Sequence, residues 1–327
     1  MKHSTQVLIL FIALFITTQV IGLGVLTKTA EIITTTTNET QQITVNFNDT
    51  AVGERPEIEG MQTIIAIGIG VIIGTIILLL LSKFNKKNIW KHWFFLASTI
   101  TMSVTFGAIT NNFLFAWILA ATLGAWKIYK PNFLVHNITE LFIYPGIALL
   151  LVPLINVFYA FILLVLISIY DAYAVWRSKH MITMAKFAKD ANLFPGLAIN
   201  YNKTTGNIKS LINDNTKDTN LKKTKIYNKT KANKQTKKEE IKTGILGGGD
   251  IAFPLIFAGT HLIALLEIGF TRIQAISHAL IISIFAGFAL LLLFVYGKKD
   301  AYYPAMPFIS AGSFIGYAIS ILIILLF

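Results

Sequence analysis

Apolar residues run along this chain in long, nearly unbroken blocks, and polar residues collect in the gaps between them. Blocks of about 20 apolar residues match the hydrocarbon thickness of a bilayer, so each reads as a transmembrane helix. The first block runs over 7–26 and the second over 61–81, which carries no charge. A third covers 92–109 and turns at Asn111 and Asn112, and a fourth covers 113–126. The apolar stretch 141–176 is too long for one ordinary span and short for two. Pro153 and Asn156 near its middle mark a break, which gives a fifth span at about 134–152 and a sixth at about 154–176. The seventh lies over 246–266, the eighth over 273–296, and the ninth runs from Pro304 to Phe327. The predicted fold class is an all-α polytopic membrane protein with nine transmembrane helices.

Charge sets the orientation. Residues 177–243 hold 16 Lys/Arg against 5 Asp/Glu, so almost all of the chain's net charge of +12 sits in one loop. On a multispanning protein such a loop faces the cytoplasm, where it can also meet anionic lipid headgroups. Two spans before it, rather than one, put it inside. The Lys83–Lys87 cluster, Lys127 with Lys130, and Lys298 with Lys299 then fall inside as well. The N-terminus is cytoplasmic and the C-terminus outside. The organisation is therefore a first span (1–26), a polar outer loop (27–60), spans two to six (61–176), the basic loop (177–243) and spans seven to nine (244–327). Residues 1–26 show no convincing small-x-small cleavage site and read as a retained span rather than a signal peptide. Within the basic loop, 181–190 can form a short amphipathic helix on the membrane surface. The Lys/Asn/Thr-rich tract 200–242 lacks the large apolar residues a core needs and is expected to be disordered.

Composition excludes several functions. With 54% hydrophobic and 13% charged residues, this is a membrane protein. The absence of cysteine removes disulfides, thiol nucleophiles and cysteine-ligated zinc. The confinement of the basic excess to one loop argues for topology rather than nucleic-acid binding. No residue set has metal-ligand spacing, and no metal or other cofactor is expected.

Two acids inside apolar blocks carry the candidate chemistry. Asp250 follows Gly247, Gly248 and Gly249 at the start of the seventh span, where His261 is the only other ionisable residue of 246–266. Asp171 lies near the end of the sixth, after Tyr170. A carboxylate at membrane depth costs about 2.5–3.5 kcal/mol on insertion scales and is a functional-site hypothesis by default. The glycines strip side chains from the backbone beside Asp250, which allows close approach by another chain. Topology puts both acids at about 6–8 Å from the cytoplasmic helix ends. Two carboxylates that close share a proton, so one can take a proton from water while the other donates to a carbonyl oxygen.

Tyr170-Asp171, Gly247-Gly248-Gly249-Asp250 and Pro304-Ala305-Met306 resemble, in that order and on spans six, seven and nine, the motifs of the presenilin and signal peptide peptidase family. These are intramembrane aspartyl proteases with nine spans and the signatures Tyr-Asp, Gly-x-Gly-Asp and Pro-Ala-Leu. The resemblance covers roughly residues 60–327 and is nearest to the archaeal presenilin-like members. It implies that Asp171 and Asp250 are the catalytic pair, with Tyr170, Gly247, Gly248, Gly249, Pro304, Ala305 and Met306 shaping the site. Met306 stands where the family usually has Leu, a swap of similar volume. The inside loop matches the presenilin orientation, which implies single-span substrates with the N-terminus outside. It also implies activity without obligate partner subunits, in the plasma membrane of a prokaryote.

Plainer readings attach to the other residues. His261 and His278 read as packing or interfacial residues, and Glu140 and Glu267 as solvated residues near span ends. Gly68, Gly70, Gly74, Gly287 and Gly316 read as helix-packing positions. A proton-coupled secondary transporter, which inverted repeats would favour, and a non-catalytic scaffold or leak channel are the rival functions. No internal repeat is visible.

Overall fold

The computed structural model describes residues 5–37, 40–178, 183–184, 186–188, 191, 193–202, 241–297 and 303–326. In chain order the elements are α1 (Thr5–Thr29), β1 (Ala30–Thr37), β2 (Thr40–Phe47), α2 (Met61–Lys83), α3 (Lys87–Thr110), α4 (Phe113–Tyr129), α5 (Phe133–Leu151) and α6 (Val157–Ala172). After them come β3 (Gly196–Asn202), β4 (Ile241–Gly247), α7 (Gly249–Glu267), α8 (Arg272–Tyr296) and α9 (Met306–Leu326). Eight of the helices are long and apolar enough to cross a membrane, and α4, at 17 residues, is a shorter apolar helix.

The breaks fall where the sequence chemistry places them. Asn111 adopts the left-handed conformation (φ 54°) that ends α3, and the Asn112 side chain caps α4 by accepting the Phe115 N–H at 3.0 Å. Pro153 lies in a 3-10 turn, Val152–Leu154, after which Asn156 caps α6 by accepting the Tyr159 N–H at 3.0 Å. The polypeptide therefore divides 141–176 into two helices.

The all-α expectation needs correcting, because two antiparallel hairpins accompany the helices. The β1–β2 hairpin occupies the polar segment between the first two spans, where β-branched Ile32, Ile33, Thr34, Ile43 and Val45 favour strand over coil. Val45 and Phe47 lean on the core. The β3–β4 hairpin joins the two ends of the basic loop, pairing Gly196 with Gly247 through to Asn202 with Ile241. Residues 200–202 and 241–242, expected to be part of a disordered tract, are thus paired strand. The rest of that tract, 203–240, and most of the predicted 181–190 surface helix lie outside the described residues. Phe187 and Leu193 bury against Trp90, Phe94 and Ile128.

Helix α7 is the hub. It packs against α1, α5, α6, α8 and α9, and Leu255, Phe257, Ala258 and Leu262 are fully buried. Glycines set the closest crossings. A Cβ on Gly146 would stand 1.9 Å from the Thr101 carbonyl oxygen of α3, and one on Gly316 would stand 2.7 Å from the Ile282 Cα of α8. Gly287 faces Phe15 and Ile16 of α1, as packing glycines should. Gly68, Gly70 and Gly74 do not: a Cβ at any of them would meet nothing within 4 Å. The reason is the position of α2, whose only buried residues are Thr63 and Ile64.

Candidate active site

Asp171 lies one residue before the end of α6, where the helix widens into a π-turn, Tyr173–Arg177. Such turns displace side chains from the regular helical track and recur at functional sites. The carboxylate is buried, with 7% exposure, and Oδ2 accepts the backbone N–H of Met306 at 3.1 Å. The Ala305 N–H is a second backbone donor to it. Both belong to the turn that opens α9, where the first N–H groups of a helix have no partner of their own. The acid on α6 thus caps the helix that begins with Pro304-Ala305-Met306. Ser168, one turn earlier, donates to Ser310 Oγ at 2.8 Å and fixes the same two helices.

Asp250 is in the first turn of α7 and keeps partial exposure. Strand β4 delivers it: Gly248 donates to the Pro195 carbonyl at 3.1 Å, the Ile251 N–H bonds back to the Gly248 carbonyl at 3.2 Å, and the helix starts there. The Gly247 N–H donates to the Asp250 carboxylate. The three glycines differ in what they permit. A Cβ on Gly247 would come within 3.0 Å of Asp250 Oδ2, and one on Gly248 within 2.9 Å of the Tyr144 hydroxyl. One on Gly249 would meet only Phe253, at an ordinary 3.4 Å. None of the three has positive φ. Close approach, not an unusual backbone conformation, is what the first two supply. Pro254 lacks the N–H that would bond the Asp250 carbonyl in a regular helix, so the first turn of α7 is loosened at the acid.

The two acids come together. Helices α6 and α7 pack against each other, and the carboxylates lie within electrostatic range of one another. Pro304 and Met306 are buried beside them, and Ala305 is partly buried. The Tyr170 hydroxyl pairs with Thr75 Oγ1 of α2 at 2.8 Å.

Edge chemistry beside Asp250 follows from the hairpin register. Pro195, Leu197 and Ile199 face β4 with their hydrogen-bonding groups, so those of Gly196 and Ala198 point outward on β3. They are taken by α5. The His136 ring meets the Gly196 carbonyl at 2.8 Å, and Asn137 pairs with both the N–H (3.1 Å) and the C=O (2.8 Å) of Ala198. By the same register the N–H and C=O of Ile245 point outward from β4, two residues before Gly247.

Sequence reading missed the supporting residues. Glu140 was expected to be solvated. It is 1% exposed, forms an ion pair with Lys127 and accepts a hydrogen bond from the Tyr144 hydroxyl. The signal was a lone acid and a lone base on successive apolar helices joined by a tight turn. Gln19 of α1 was not singled out either, yet it donates to the Ile251 carbonyl at 3.0 Å, one residue past Asp250. His261 and His278 do pack, sharing the Ser320 hydroxyl at 2.8 and 3.0 Å. No group of three or more potential metal ligands occurs among the described residues.

With this geometry in place, comparison with known proteins is decisive. Residues 41–325 match the family model described as signal-peptide peptidase, presenilin aspartyl protease. The chain belongs to that family. Two solved structures described as a presenilin family intramembrane aspartate protease, in P2 and C222 space groups, share its fold. The first is 16% identical, with 96% of each chain covered and a TM-score of 0.55. The second is 15% identical, with 97% of this chain and 99% of that chain covered and a TM-score of 0.56. The search of curated proteins returns no match. The protein is therefore a presenilin-like intramembrane aspartyl protease, a hydrolase, and an integral multi-pass membrane protein.

Proposed function

We propose that Asp171 and Asp250 are the catalytic pair of an endopeptidase that cuts peptide bonds within transmembrane segments. The observation that carries this reading is the convergence of the two acids from adjacent helices, each held by backbone N–H groups: Asp171 by Met306 and Ala305, Asp250 by Gly247. Side chains held this way present their remaining oxygen atoms in fixed directions, as a positioned acid–base pair requires. The pair shares one proton. The charged carboxylate takes a proton from water as its oxygen attacks the scissile carbonyl carbon, and the protonated one donates to the carbonyl oxygen. Collapse of the tetrahedral adduct breaks the C–N bond, and the amine leaves with a proton from the dyad.

A helical substrate hides its amides in its own i→i−4 bonds and must be extended before attack. The outward N–H and C=O of Ile245 offer an edge for strand addition beside Asp250. All nine apolar helices cross the membrane in this reading, with the N-terminus and the basic loop in the cytoplasm, and substrates enter with their N-terminus outside. In this reading the enzyme works without obligate partner subunits, in the plasma membrane of a prokaryote.

The test is cleavage of a single-span substrate by the purified chain in detergent, with Asp171→Asn and Asp250→Asn beside wild type. Both variants should fold and lose all turnover. Wild-type cleavage by either one would refute the dyad.

A further inference from the structure

One face of α5 touches both strand β3 and the glycine turn just before Asp250. His136, Asn137, Glu140 and Tyr144 fall at i, i+1, i+4 and i+8, which stacks them along one side of the helix. The first two hold the outer edge of β3. Glu140 lies a turn further on with both oxygens engaged: Oε1 by Lys127 and Oε2 by the Tyr144 hydroxyl. Lys127 is itself enclosed, 1% exposed, with Nζ 5.1 Å from the centre of the Phe94 ring. The Tyr144 hydroxyl in turn stands against Gly248, at 2.9 Å from where a Cβ would be, and within electrostatic range of Asp250.

A buried ion pair is a poor device for stability alone. Well-packed apolar residues do as well or better, while loss of one partner is strongly destabilising. What this pair does supply is direction. A tyrosine hydroxyl has one proton, and here that proton is committed to Glu140. The oxygen is thereby held at Gly248, whose bare backbone lets the β4–α7 turn pass beside it.

We infer that Glu140 and Tyr144, with Lys127 as counter-ion, are positioning residues that hold the Gly247–Gly249 turn so that Asp250 meets Asp171 in one orientation. This rests on the reading of Asp250 as catalytic, and the experiment separates the two. Two neutral replacements of the ion pair, Lys127→Met with Glu140→Gln and Lys127→Met with Glu140→Leu, both avoid an unpaired buried charge. Only the first keeps an acceptor for Tyr144. With the single-span substrate, the Gln pair should turn over within about 3-fold of wild type, which is the scale of one exchanged hydrogen bond. The Leu pair and Tyr144→Phe should lose about 10-fold or more in kcat at unchanged KM, as slight misplacement of a catalytic group does.

The second readout needs no catalysis. The chain has no cysteine, so Asp171→Cys with Asp250→Cys reports the meeting of the two positions as the rate of disulfide formation under mild oxidation. That rate should fall several-fold when Tyr144 is replaced by Phe. Equal cross-linking rates with Tyr and Phe would overturn the inference, as would wild-type kcat in both Tyr144→Phe and the Leu pair, or a kcat loss that only tracks the folded fraction. Turnover by Asp250→Asn would instead sink the catalytic reading and leave the cross-linking result standing.

Discussion

Helices α2 and α7 read alike in the sequence, since each is an apolar block marked by glycines, yet they occupy opposite places in the fold. Of the best membrane-spanning window, 6% is buried in α2 and 72% in α7. The more apolar of the two is the one left on the outside. In a bilayer this is expected, because lipid tails solvate Ile and Leu as well as protein does and give them no reason to pack. Burial goes instead to the helix with polar obligations. Helix α7 carries Asp250, His261 and Thr260; Ser320 of α9 meets the His261 ring, the Gly247 N–H of β4 reaches Asp250, and Thr260 donates to the Phe257 carbonyl of α7 itself. Helix α2 has one polar tie to the site-bearing α6, through Thr75 and Tyr170. Strong hydropathy therefore marks a span, while a polar residue within a span marks the interior.

This contrast can be broken most severely at the glycines. Gly247→Ala and Gly248→Ala should each lower kcat by about 100-fold, the scale of a displacement near 1 Å at a catalytic group. The same change at Gly68, Gly70 or Gly74 should leave cleavage of the single-span substrate unaltered. A large loss at any of the three α2 positions would show that α2 packs more tightly than its exposure implies.

A smaller effect sharpens the packing side. Phe257→Ala in α7 removes a fully buried ring that meets Phe314 and Tyr317 and should cost about 3–5 kcal/mol of stability. Ile72→Ala, at a position 57% exposed on α2, should stay within about 0.5 kcal/mol. Reversible unfolding in detergent checks both. A comparably small effect belongs to Thr75→Val, which deletes the hydroxyl bond between α2 and α6 and should cost about 0.6 kcal/mol, the average for such bonds between membrane helices.

Much of the candidate site was legible because its parts are local. Asp171, Asp250 and the Pro304-Ala305-Met306 turn each stand out against their own neighbours as acid or proline in an apolar run. Length and the positions of Asn112, Pro153 and Asn156 likewise marked helix ends correctly. What escaped was non-local. Glu140 looks solvated from its place near a helix end, and only the pairing of α4 with α5 brings Lys127 to it. Strands β3 and β4 are separated by a long basic segment, so neither has a neighbour in sequence to pair with. The β1–β2 hairpin was hidden by its threonines, which read as polar loop when only hydropathy is weighed.

By itself the sequence determined the apolar spans, their main breaks and the two acids, since each follows from the cost of placing a residue type in hydrocarbon or in a helix. The tertiary structure decided the rest. It chose which apolar helices go inside, which glycines are needed and which charges are paired. Those choices depend on the groups that meet across helices, and lipid is as good a partner for an apolar side chain as protein is.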